Sequence, residues 1–378
     1  MKTIRQLLTP LVVLSAITWP RAQPLLLNSY PPAKATVYLD FTGAQVEGTA
    51  WNWNGPIKAL PSGLSGQNIA EIFARISDDY RPFNLNITTD PSVYKKAPRT
   101  QKIRIIFTPS SSWYGYAGGV SYVGSFCWGD ETPAWVFNEL LGNNPKYIAS
   151  FASHEIGHTL GLQHQSVYDN QCNKITECGG GWPGLSGWAP IMGVGLYQAC
   201  VTWHKGPSSV GCRTIQDDLE TIAGKANNFG LRKDDYSDHY AKAEEVKIYG
   251  HEFSIRGLIN QPSDRDAFRI DLCAASEMQI QAAPSGILEN QEMPSQVMVQ
   301  LLNKSGAVIG RYDPGTLFNN GISRYLEQGT YYLILEYSKK KYSGRAFKPE
   351  YYALSGSLVP ASDIQQIALL HQLRYLPD

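Results

Sequence analysis

The chain has 378 residues, of which 43% are hydrophobic and 17% charged, and it contains 33 Lys plus Arg against 33 Asp plus Glu. This length and composition fit a globular protein of two ordinary domains and exclude a disordered acidic protein. Because the charges balance and no basic run is present, there is no electrostatic reason to expect nucleic-acid binding.

The first residues are typical of an export signal. Lys2 and Arg5 precede a mostly apolar run, Leu7–Trp19, which is too short for a permanent membrane anchor, and Ala22 follows as the expected cleavage position. No later segment is apolar enough to span a bilayer. We therefore expect a signal peptide over residues 1–22 and a secreted, extracellular mature protein, with the periplasm as a transit compartment.

An even number of cysteines favours disulfides in an exported chain. Proximity in the sequence favours two short pairs, Cys172–Cys178 and Cys200–Cys212. Cys127 and Cys273 are then left either to pair across domains or to stay buried and reduced.

Strand and helix patterns are mixed in the first half of the chain, which predicts an α/β (α+β) domain. Residues 23–35 form a short Pro-rich segment with no predicted element. Apolar positions at helical spacing predict a helix over Asn68–Tyr80, with Pro82 just beyond its end. Strands are predicted at residues 36–41, 83–88, 102–107, 119–123 and 134–138.

A second helix is predicted from Pro145 to Leu160, because Asn144 can cap it and Gly161 suits its end. A third helix is predicted over Arg213–Ala226. Charged residues then gather in a linker at 233–245. Short strands with turn signals predict a small all-β sandwich over 246–359, and a helical, amphipathic tail follows at 360–378.

The second helix carries the pattern H-E-x-x-H in His154, Glu155 and His158. Residues four apart share a helix face, so both imidazoles can reach one metal ion. In an unbroken helix His164 would lie about 9 Å further along the axis than His158 and would point away. Gly161 can adopt a left-handed conformation that turns the chain, so that His164 returns as a third ligand.

Three neutral imidazoles leave the fourth position of Zn²⁺ to water, which is the arrangement of a catalytic site. Glu155 can accept a proton from a metal-activated water and pass it to the leaving nitrogen of a peptide bond. The alternative of ordinary core histidines is disfavoured by the eleven-residue pattern. A structural zinc site is disfavoured because the sequence offers no evident fourth protein ligand.

The segment HEIGHTLGLQH resembles the zinc signature of the metzincin metallopeptidases. The resemblance implies a methionine turn at residues 189–193, with Met192 as a hydrophobic floor beneath the metal. Some metzincins have a tyrosine two residues after this methionine. Such a tyrosine would stabilise the transition state. Because position 194 is Val, this role is either unfilled or taken by Tyr197.

The resemblance extends to secreted bacterial zinc metalloproteases, through TVYLDFTGAQVEGTAWN and PAWVFNE, and to their pre-peptidase C-terminal domain, through DRDAFRIDL and LEQGTYYLILEY. It implies a metzincin-like peptidase domain over 36–232, with an upper part at 36–164 and a lower part at 165–232. Its sheet would be mixed and mostly parallel, with an antiparallel edge strand that pairs with an extended substrate. It also implies one catalytic Zn²⁺ and a protein or peptide substrate, and we expect a monomer.

Two other functions stay open: a non-catalytic extracellular binding or adhesion protein on the same shell, and a zinc amidase acting on a non-protein amide. The intact Glu155 argues against the non-catalytic binding protein. Only a substrate screen can distinguish the amidase from a peptidase. His204 is expected to be a surface residue or to lie behind the metal ligands. Asp78 and Asp79 could join a Ca²⁺ site, although a solvated helix end is the simpler interpretation.

Overall fold

The computed structural model describes residues 25–177, 188–196, 198, 200–284, 297–312, 321–338 and 350–363. Its α-helices are α1 (Gly66–Asp79), α2 (Pro91–Lys96), α3 (Pro145–Thr159) and α4 (Asp218–Ile222). Single 3₁₀ turns lie at Asn52–Asn54, Arg99–Gln101, Ser125–Cys127 and Tyr240–Lys242. In these ranges, no helix combines the length and the apolar character needed to cross a membrane.

Strands occur throughout the chain. Those before residue 218 are β1 (Ala35–Asp40), β2 (Ala44–Val46), β3 (Ile57–Ala59), β4 (Leu85–Thr88), β5 (Lys102–Thr108), β6 (Gly119–Val120), β7 (Ala134–Phe137), β8 (Val167–Tyr168), β9 (Lys174–Thr176), β10 (Trp188–Pro190), β11 (Cys200–Thr202), β12 (Lys205–Ser208) and β13 (Gly211–Asp217). Those that follow are β14 (Glu244–Glu245), β15 (Glu252–Ile259), β16 (Arg265–Leu272), β17 (Ser276–Pro284), β18 (Val297–Asn303), β19 (Val308–Tyr312), β20 (Ile322–Leu326), β21 (Gly329–Tyr337) and β22 (Glu350–Pro360).

The main sheet of the N-terminal part has the order β4-β1-β5-β7-β6. β1 pairs in parallel with β4 and β5, β5 pairs in parallel with β7, and β6 runs antiparallel to β7. The predicted mixed, mostly parallel sheet with an antiparallel edge strand is therefore confirmed. The central strands are almost continuously buried, as expected of parallel strands covered on both faces.

One face of this sheet is covered by α1 and α3, and both helices start where side chains cap them. Ser65 accepts a hydrogen bond from the backbone N–H of Asn68 at the start of α1. Asn144 caps α3 as predicted, with Pro145 in its first turn. The opposite face is covered by the β2–β3 hairpin and by Trp51, which is 3% exposed.

Residues 25–34 form no helix or strand, in line with the sequence, but they pair with the edge of the main sheet. Asn28 forms an antiparallel bridge with Thr88, and the backbone N–H of Ser29 donates to the carbonyl of Ile87. The reason is that β4 would otherwise leave unpaired backbone groups at the edge of the sheet. Residues 23 and 24 lie outside the described ranges.

The helix predicted over Arg213–Ala226 is also wrong in its first half. Residues 211–217 form β13, which pairs antiparallel with β12, so Ile215 faces Pro207 across a hairpin. Backbone pairing between these strands overrides a weak local helical pattern. The Asp217 side chain then accepts from the backbone N–H of Glu220 and starts the short helix α4.

A disulfide joins Cys172 to Cys212. Both predicted short pairings are therefore wrong, because the β12–β13 hairpin brings Cys212 back to the loop that holds Cys172. Cys127 and Cys273 are free thiols, so they do not pair across domains. Cys127 is half-buried and donates to the carbonyl of Ala226. Position 178 lies outside the described ranges.

The C-terminal part is the predicted β-sandwich. Its two sheets have the orders β14-β16-β21-β18-β19 and β15-β22-β17-β20, and apolar side chains from both sheets fill the space between them. The segment predicted as a linker is partly ordered, because β14 pairs with β16. The helical tail lies outside the described residues beyond its first turn at 361–363.

Residues 230–232 form a clasp with residues 82–84, just before the linker. Phe83 and Leu231 make an antiparallel bridge. The backbone N–H of Asn84 donates to the carbonyl of Gly230 at 3.0 Å, and that of Arg232 donates to the carbonyl of Pro82 at 2.7 Å. The chain is therefore fastened to the N-terminal part immediately before it enters the β-sandwich.

Candidate metal centre

Three imidazoles meet at the end of α3. His154 and His158 lie one turn apart on the helix, and His164 returns from the following loop. The ring centroids lie 4.7 Å apart for His154 and His158, 5.1 Å for His154 and His164, and 4.8 Å for His158 and His164. The predicted triad is thus brought together, and the three residues could bind a metal ion.

The return of His164 depends on the turn at Gly161, whose φ of 99° lies in the left-handed region. The backbone N–H of Gly161 donates to the carbonyl of His158, and that of Leu162 donates to the carbonyl of Gly157. This hydrogen-bond pair is the Schellman ending of a helix, in which a glycine takes the left-handed position. The break that the sequence required therefore occurs at Gly161.

Each imidazole is oriented by a hydrogen bond at Nδ1. The acceptors are the carbonyl of Ile191 for His154 and that of Leu162 for His158, both at 2.8 Å. His164 Nδ1 lies 3.4 Å from Glu177 Oε1. These partners favour a proton on Nδ1 and leave the lone pair of Nε2 for a metal.

The spacing of the Nε2 atoms fits Zn²⁺. His158 Nε2 and His164 Nε2 lie 3.1 Å apart. Two nitrogens bound to tetrahedral Zn²⁺ at about 2.0–2.1 Å would lie roughly 3.3 Å apart. Two lone pairs that face each other at this distance repel unless a cation or a proton lies between them. The donor set of three imidazoles is also one that zinc prefers.

Burial keeps two of the three ligands neutral. Burial, together with a smaller effect of the neighbouring histidines, lowers the pKa of His154 to about 3 and the pKa of His158 to about 4. Neutral imidazole is the form that binds a metal, so both side chains are ready to do so at neutral pH.

Glu155 lies beside the triad but faces the edge strand of the sheet. Ser121 Oγ lies 2.6 Å from Glu155 Oε2, and the carboxylate is only 5% exposed. Burial raises the pKa of Glu155 to about 7, against the opposing effect of the Ser121 hydrogen bond. A Cβ atom at Gly119 would lie 2.7 Å from Glu155 Cγ, so the absent side chain at Gly119 makes room for this carboxylate.

Met192 packs against α3 between the two helical histidines. It is fully buried, and a Cβ atom at Gly157 would lie 2.5 Å from its sulfur. The preceding residue, Ile191, provides the carbonyl that accepts from His154 Nδ1. The backbone carbonyl of Met192 accepts from the N–H of Gln165 at 2.8 Å. The turn therefore supports both the helix and the loop that carries His164.

A buried polar network, which the sequence did not reveal, holds the loop that carries His164. Asp218 Oδ1 accepts from the side-chain amides of Gln165 and Gln216, and its Oδ2 accepts from the backbone N–H of His204. Gln216 in turn exchanges two hydrogen bonds with the backbone of Gln163. The two glutamines of the loop lie about 50 residues before Gln216 and Asp218, so no local signal could have grouped the two pairs.

Asn227 closes the same region. Its side-chain amide donates to the carbonyls of Leu160 and Ile222, at 2.9 Å and 3.1 Å. It therefore ties the end of α3 to the end of α4 with one buried side chain, which is 2% exposed.

A cavity of about 680 Å³ lies next to the loop that follows His164. Its walls include Gln165, Tyr168, Trp188, His204 and the Cys172–Cys212 disulfide. His204 is half-buried, its ring packs on Trp188 with centroids 5.4 Å apart, and burial lowers its pKa to about 4. It does not belong to the metal-holding groups of the described residues.

Some predicted residues lie elsewhere. Tyr197 is outside the described residues. Asp78 forms an ion pair with Arg81, and Asp79 accepts a hydrogen bond from Ser153 at 2.6 Å. Both acids therefore have structural contacts at the end of α1, and within the described ranges they do not belong to a group that could hold a metal.

Comparison with known families gives one match. Residues 79–165 match the model of a family described as Metallo-peptidase family M12B Reprolysin-like, and this stretch contains the three histidines and Glu155. The match supports zinc-dependent peptidase function in general, and with it protein or peptide substrates. No curated protein matches the chain.

Solved structures give only weak likenesses. The chain is similar to the periplasmic lysozyme inhibitor PliG of Aeromonas hydrophila, with 19% identity, 31% of this chain and 95% of that chain covered, and a TM-score of 0.24. It is also similar to the pre-peptidase C-terminal domain of a collagenase from Bacillus anthracis, with 15% identity, 30% and 96% coverage, and a TM-score of 0.23.

Proposed function

We propose that this chain is a secreted zinc-dependent endopeptidase in which His154, His158 and His164 hold one Zn²⁺ and Glu155 is the general base. The observation that carries the proposal is the convergence of three imidazoles, each oriented through Nδ1 so that Nε2 is available to a metal. The family match over residues 79–165 supports it independently. Export depends on the sequence alone, because residues 1–22 lie outside the described ranges.

In the proposed reaction, the metal and the side chains of the protein have separate roles. A bound Zn²⁺ supplies a Lewis acid that acidifies water and polarises the carbonyl of the peptide bond. Glu155 accepts the proton of the attacking water and returns it to the amide nitrogen as the C–N bond breaks. Ser121 orients this carboxylate through its 2.6 Å hydrogen bond. Met192 supports the triad from below.

The edge strand β6 suits an extended substrate. Its inner side pairs with β7, through Gly119–Val136 and Val120–Trp135, and Glu155 lies directly beneath Gly119. A peptide added along the outer side of β6 would thus pass over the general base. The cavity that begins at Gln165, next in the chain to His164, would accept a substrate side chain.

We further propose the domain limits that the sequence suggests, with a monomeric enzyme formed by the peptidase domain at 36–232, the linker at 233–245 and the β-sandwich at 246–359. The β-sandwich would assist secretion or bind a surface. Deletion of residues 246–378 should then leave casein hydrolysis intact but reduce secretion or surface retention. If the deletion reduced neither secretion nor surface retention, this role would be contradicted.

The central test is casein hydrolysis by the purified mature chain, with bound zinc quantified. Glu155→Gln keeps the size of the side chain but removes the base, and the exposed Glu139→Gln serves as the matched control. We expect Glu155→Gln to lose on the order of a hundredfold or more in activity, with about one zinc retained, and the control to be unaffected.

Three outcomes would contradict the proposal. Unchanged hydrolysis by Glu155→Gln would exclude this residue as the base, and a wild-type chain without zinc would exclude the metal centre. Zinc binding without hydrolysis of casein or of a peptide library would favour the non-catalytic binding protein. Hydrolysis of non-peptide amides alone would favour the amidase.

A further inference from the structure

Three exposed aromatic side chains form a surface beside the edge strand of the main sheet. Trp53, Tyr114 and Trp128 are 55%, 43% and 46% exposed, and we call this group the aromatic rim. Tryptophan side chains are highly buried on average, so two that leave about half of their surface in water are unusual. A connected apolar surface of this kind marks an interaction site, whereas single exposed residues do not.

The aromatic rim is connected through one layer of rings. Trp51 lies at its centre, with its ring centroid 5.7 Å from that of Trp53 and 6.0 Å from that of Tyr114. Tyr122 links this group to the third residue of the rim. Its centroid lies 4.1 Å from that of Trp51 and 5.4 Å from that of Trp128. The rim is therefore one patch and not a scatter of separate residues.

Hydrogen bonds and burial fix the base of this layer. Trp51 is buried, and its indole N–H donates to the carbonyl of Pro133 at 2.7 Å. The hydroxyl of Tyr122 donates to the carbonyl of Ala50 at 3.1 Å. Because the rim packs on side chains that are already held, a ligand would lose little free energy in ordering it.

The loop after β6 joins the aromatic rim to the proposed catalytic site. Ser121 contacts the carboxylate of Glu155, and the backbone N–H of Gly124 donates to the carbonyl of His158 at 2.9 Å. Tyr122 lies between these two anchors. Since β6 has only two residues, a substrate that pairs with it reaches the aromatic layer as soon as the pairing ends.

Antiparallel pairing would place the substrate segment before the scissile bond on the rim. β6 already pairs antiparallel with β7, and antiparallel pairs outnumber parallel ones about two- to threefold. A peptide that runs antiparallel to β6 starts beyond the C-terminal end of this strand, where Tyr122 follows, and then passes over Glu155. Residues on the N-terminal side of the cleaved bond therefore lie against the rim.

We propose that the aromatic rim binds a proline-rich segment on the N-terminal side of the scissile bond, an inference that rests on the proposed peptidase function. Such a segment forms a polyproline II helix, whose backbone has no internal hydrogen bonds and whose proline nitrogens cannot pair with a strand. It therefore leaves β6 and needs another surface. Aromatic rings pack against proline, and the indole N–H and phenol O–H groups of the rim are donors for its free carbonyls. A glycan can also stack on such rings, but the continuity of the rim with β6 favours the substrate chain itself.

The first test measures hydrolysis by the full mature chain with zinc bound. Two peptides of equal length share one cleavable core, mapped from casein fragments by mass spectrometry, and carry either a Pro-rich or a flexible Gly/Ser-rich extension before it. We expect an about tenfold higher kcat/KM for the Pro-rich peptide, mainly through a lower KM. In Trp53→Ala and Trp128→Ala this preference should disappear. Tyr325→Ala, which removes a similarly exposed aromatic from β20, should keep it.

The preference separates binding at the rim from a folding defect, because a partly unfolded variant would lose activity on both peptides equally. Equal kcat/KM for the two peptides in the wild-type chain, or a preference that survives in both tryptophan variants, would overturn the proposal. The same gain from a Pro-rich extension placed after the core would overturn the assignment to the N-terminal side.

A second measurement does not depend on catalysis. Zinc-loaded Glu155→Gln is titrated in a calorimeter with a Pro-rich and a Gly/Ser-rich peptide that need no cleavable core. We expect about tenfold tighter binding of the Pro-rich peptide, lost when Trp128→Ala is added. If the Pro-rich peptide binds but the wild-type chain hydrolyses no peptide, the peptidase function fails while the assignment of the rim stands. Trp128-dependent retardation in gels that contain hydroxyethyl cellulose, without a preference for proline, would assign the rim to glycans and overturn the proposal.

Discussion

The contact between Gly157 and Met192 gives a prediction that separates two opposing effects. Gly157→Ala should by itself favour α3 by about 1 kcal/mol, because alanine is a better helix former than glycine. However, the added Cβ would lie 2.5 Å from the Met192 sulfur, which no real contact tolerates. Overpacking of this kind costs about 1–3 kcal/mol, so after the helical gain we expect a net loss of up to about 2 kcal/mol in the free energy of unfolding.

The same substitution should weaken zinc binding. Displacing Met192 moves Ile191, whose carbonyl orients His154 through a 2.8 Å hydrogen bond. Urea denaturation of the zinc-free chain would measure stability, and competition with a chelator would measure zinc affinity. Gly66→Ala is the matched control, since a Cβ atom at Gly66, at the start of α1, meets nothing within 4 Å.

A double-mutant cycle with Met192→Ala tests the reasoning directly. Removing Met192 alone should cost about 2–5 kcal/mol by creating a cavity. In the double variant the clash is gone and the alanine methyl fills part of that cavity. The loss in the free energy of unfolding should therefore be about 2 kcal/mol smaller than the sum of the losses in the two single variants. Additivity within about 0.5 kcal/mol, or a stabilising Gly157→Ala, would refute the proposed contact.

Three further predictions concern other parts of the chain. Gly119→Ala should displace Glu155 and lower kcat by roughly ten- to a hundredfold; unchanged kcat with zinc retained would contradict this. Replacing Cys172 and Cys212 together by serine should cost about 4 kcal/mol in urea denaturation, since the bond spans a separation of 40 residues; a loss below about 1 kcal/mol would count against it. Burial raises the pKa of Asp266, a fully buried carboxyl in β16, to about 9, whereas the unfolded chain releases this proton near 3.8. Stability should therefore fall as pH rises between these values, by up to about 1.4 kcal/mol per pH unit relative to Asp266→Asn; parallel pH profiles of the two chains from pH 5 to 8 would exclude this.

The sequence predicted the helix that carries the site, because the residues that start and end a helix act on the backbone within one turn of themselves. Asn144 caps α3, and Gly161 ends it in a left-handed turn. The spacing of His154, His158 and His164 then determines the triad, since the turn leaves little freedom for the loop. The mostly parallel sheet was predicted from the resemblance to the metzincins and not from a local residue pattern.

The contacts that the sequence could not predict are long-range. Ser121, which follows β6, reaches Glu155 on α3, and Asp218 at the start of α4 binds Gln165 in the loop after α3. The Cys172–Cys212 disulfide depends on a hairpin whose residues carried a helix-like pattern. In each case the partner is selected by tertiary packing and not by spacing along the chain.

The clasp at residues 230–232 determines how force would travel through the molecule. Tension on the β-sandwich would pull along the linker and reach the backbone hydrogen bonds between this segment and residues 82–84. These bonds would be loaded before Asn227, the residue that holds the end of α3. A pull on the C-terminal part would therefore load the hydrogen bonds at the edge of the main sheet first. The turn that positions His164 would bear the force only after those bonds had broken.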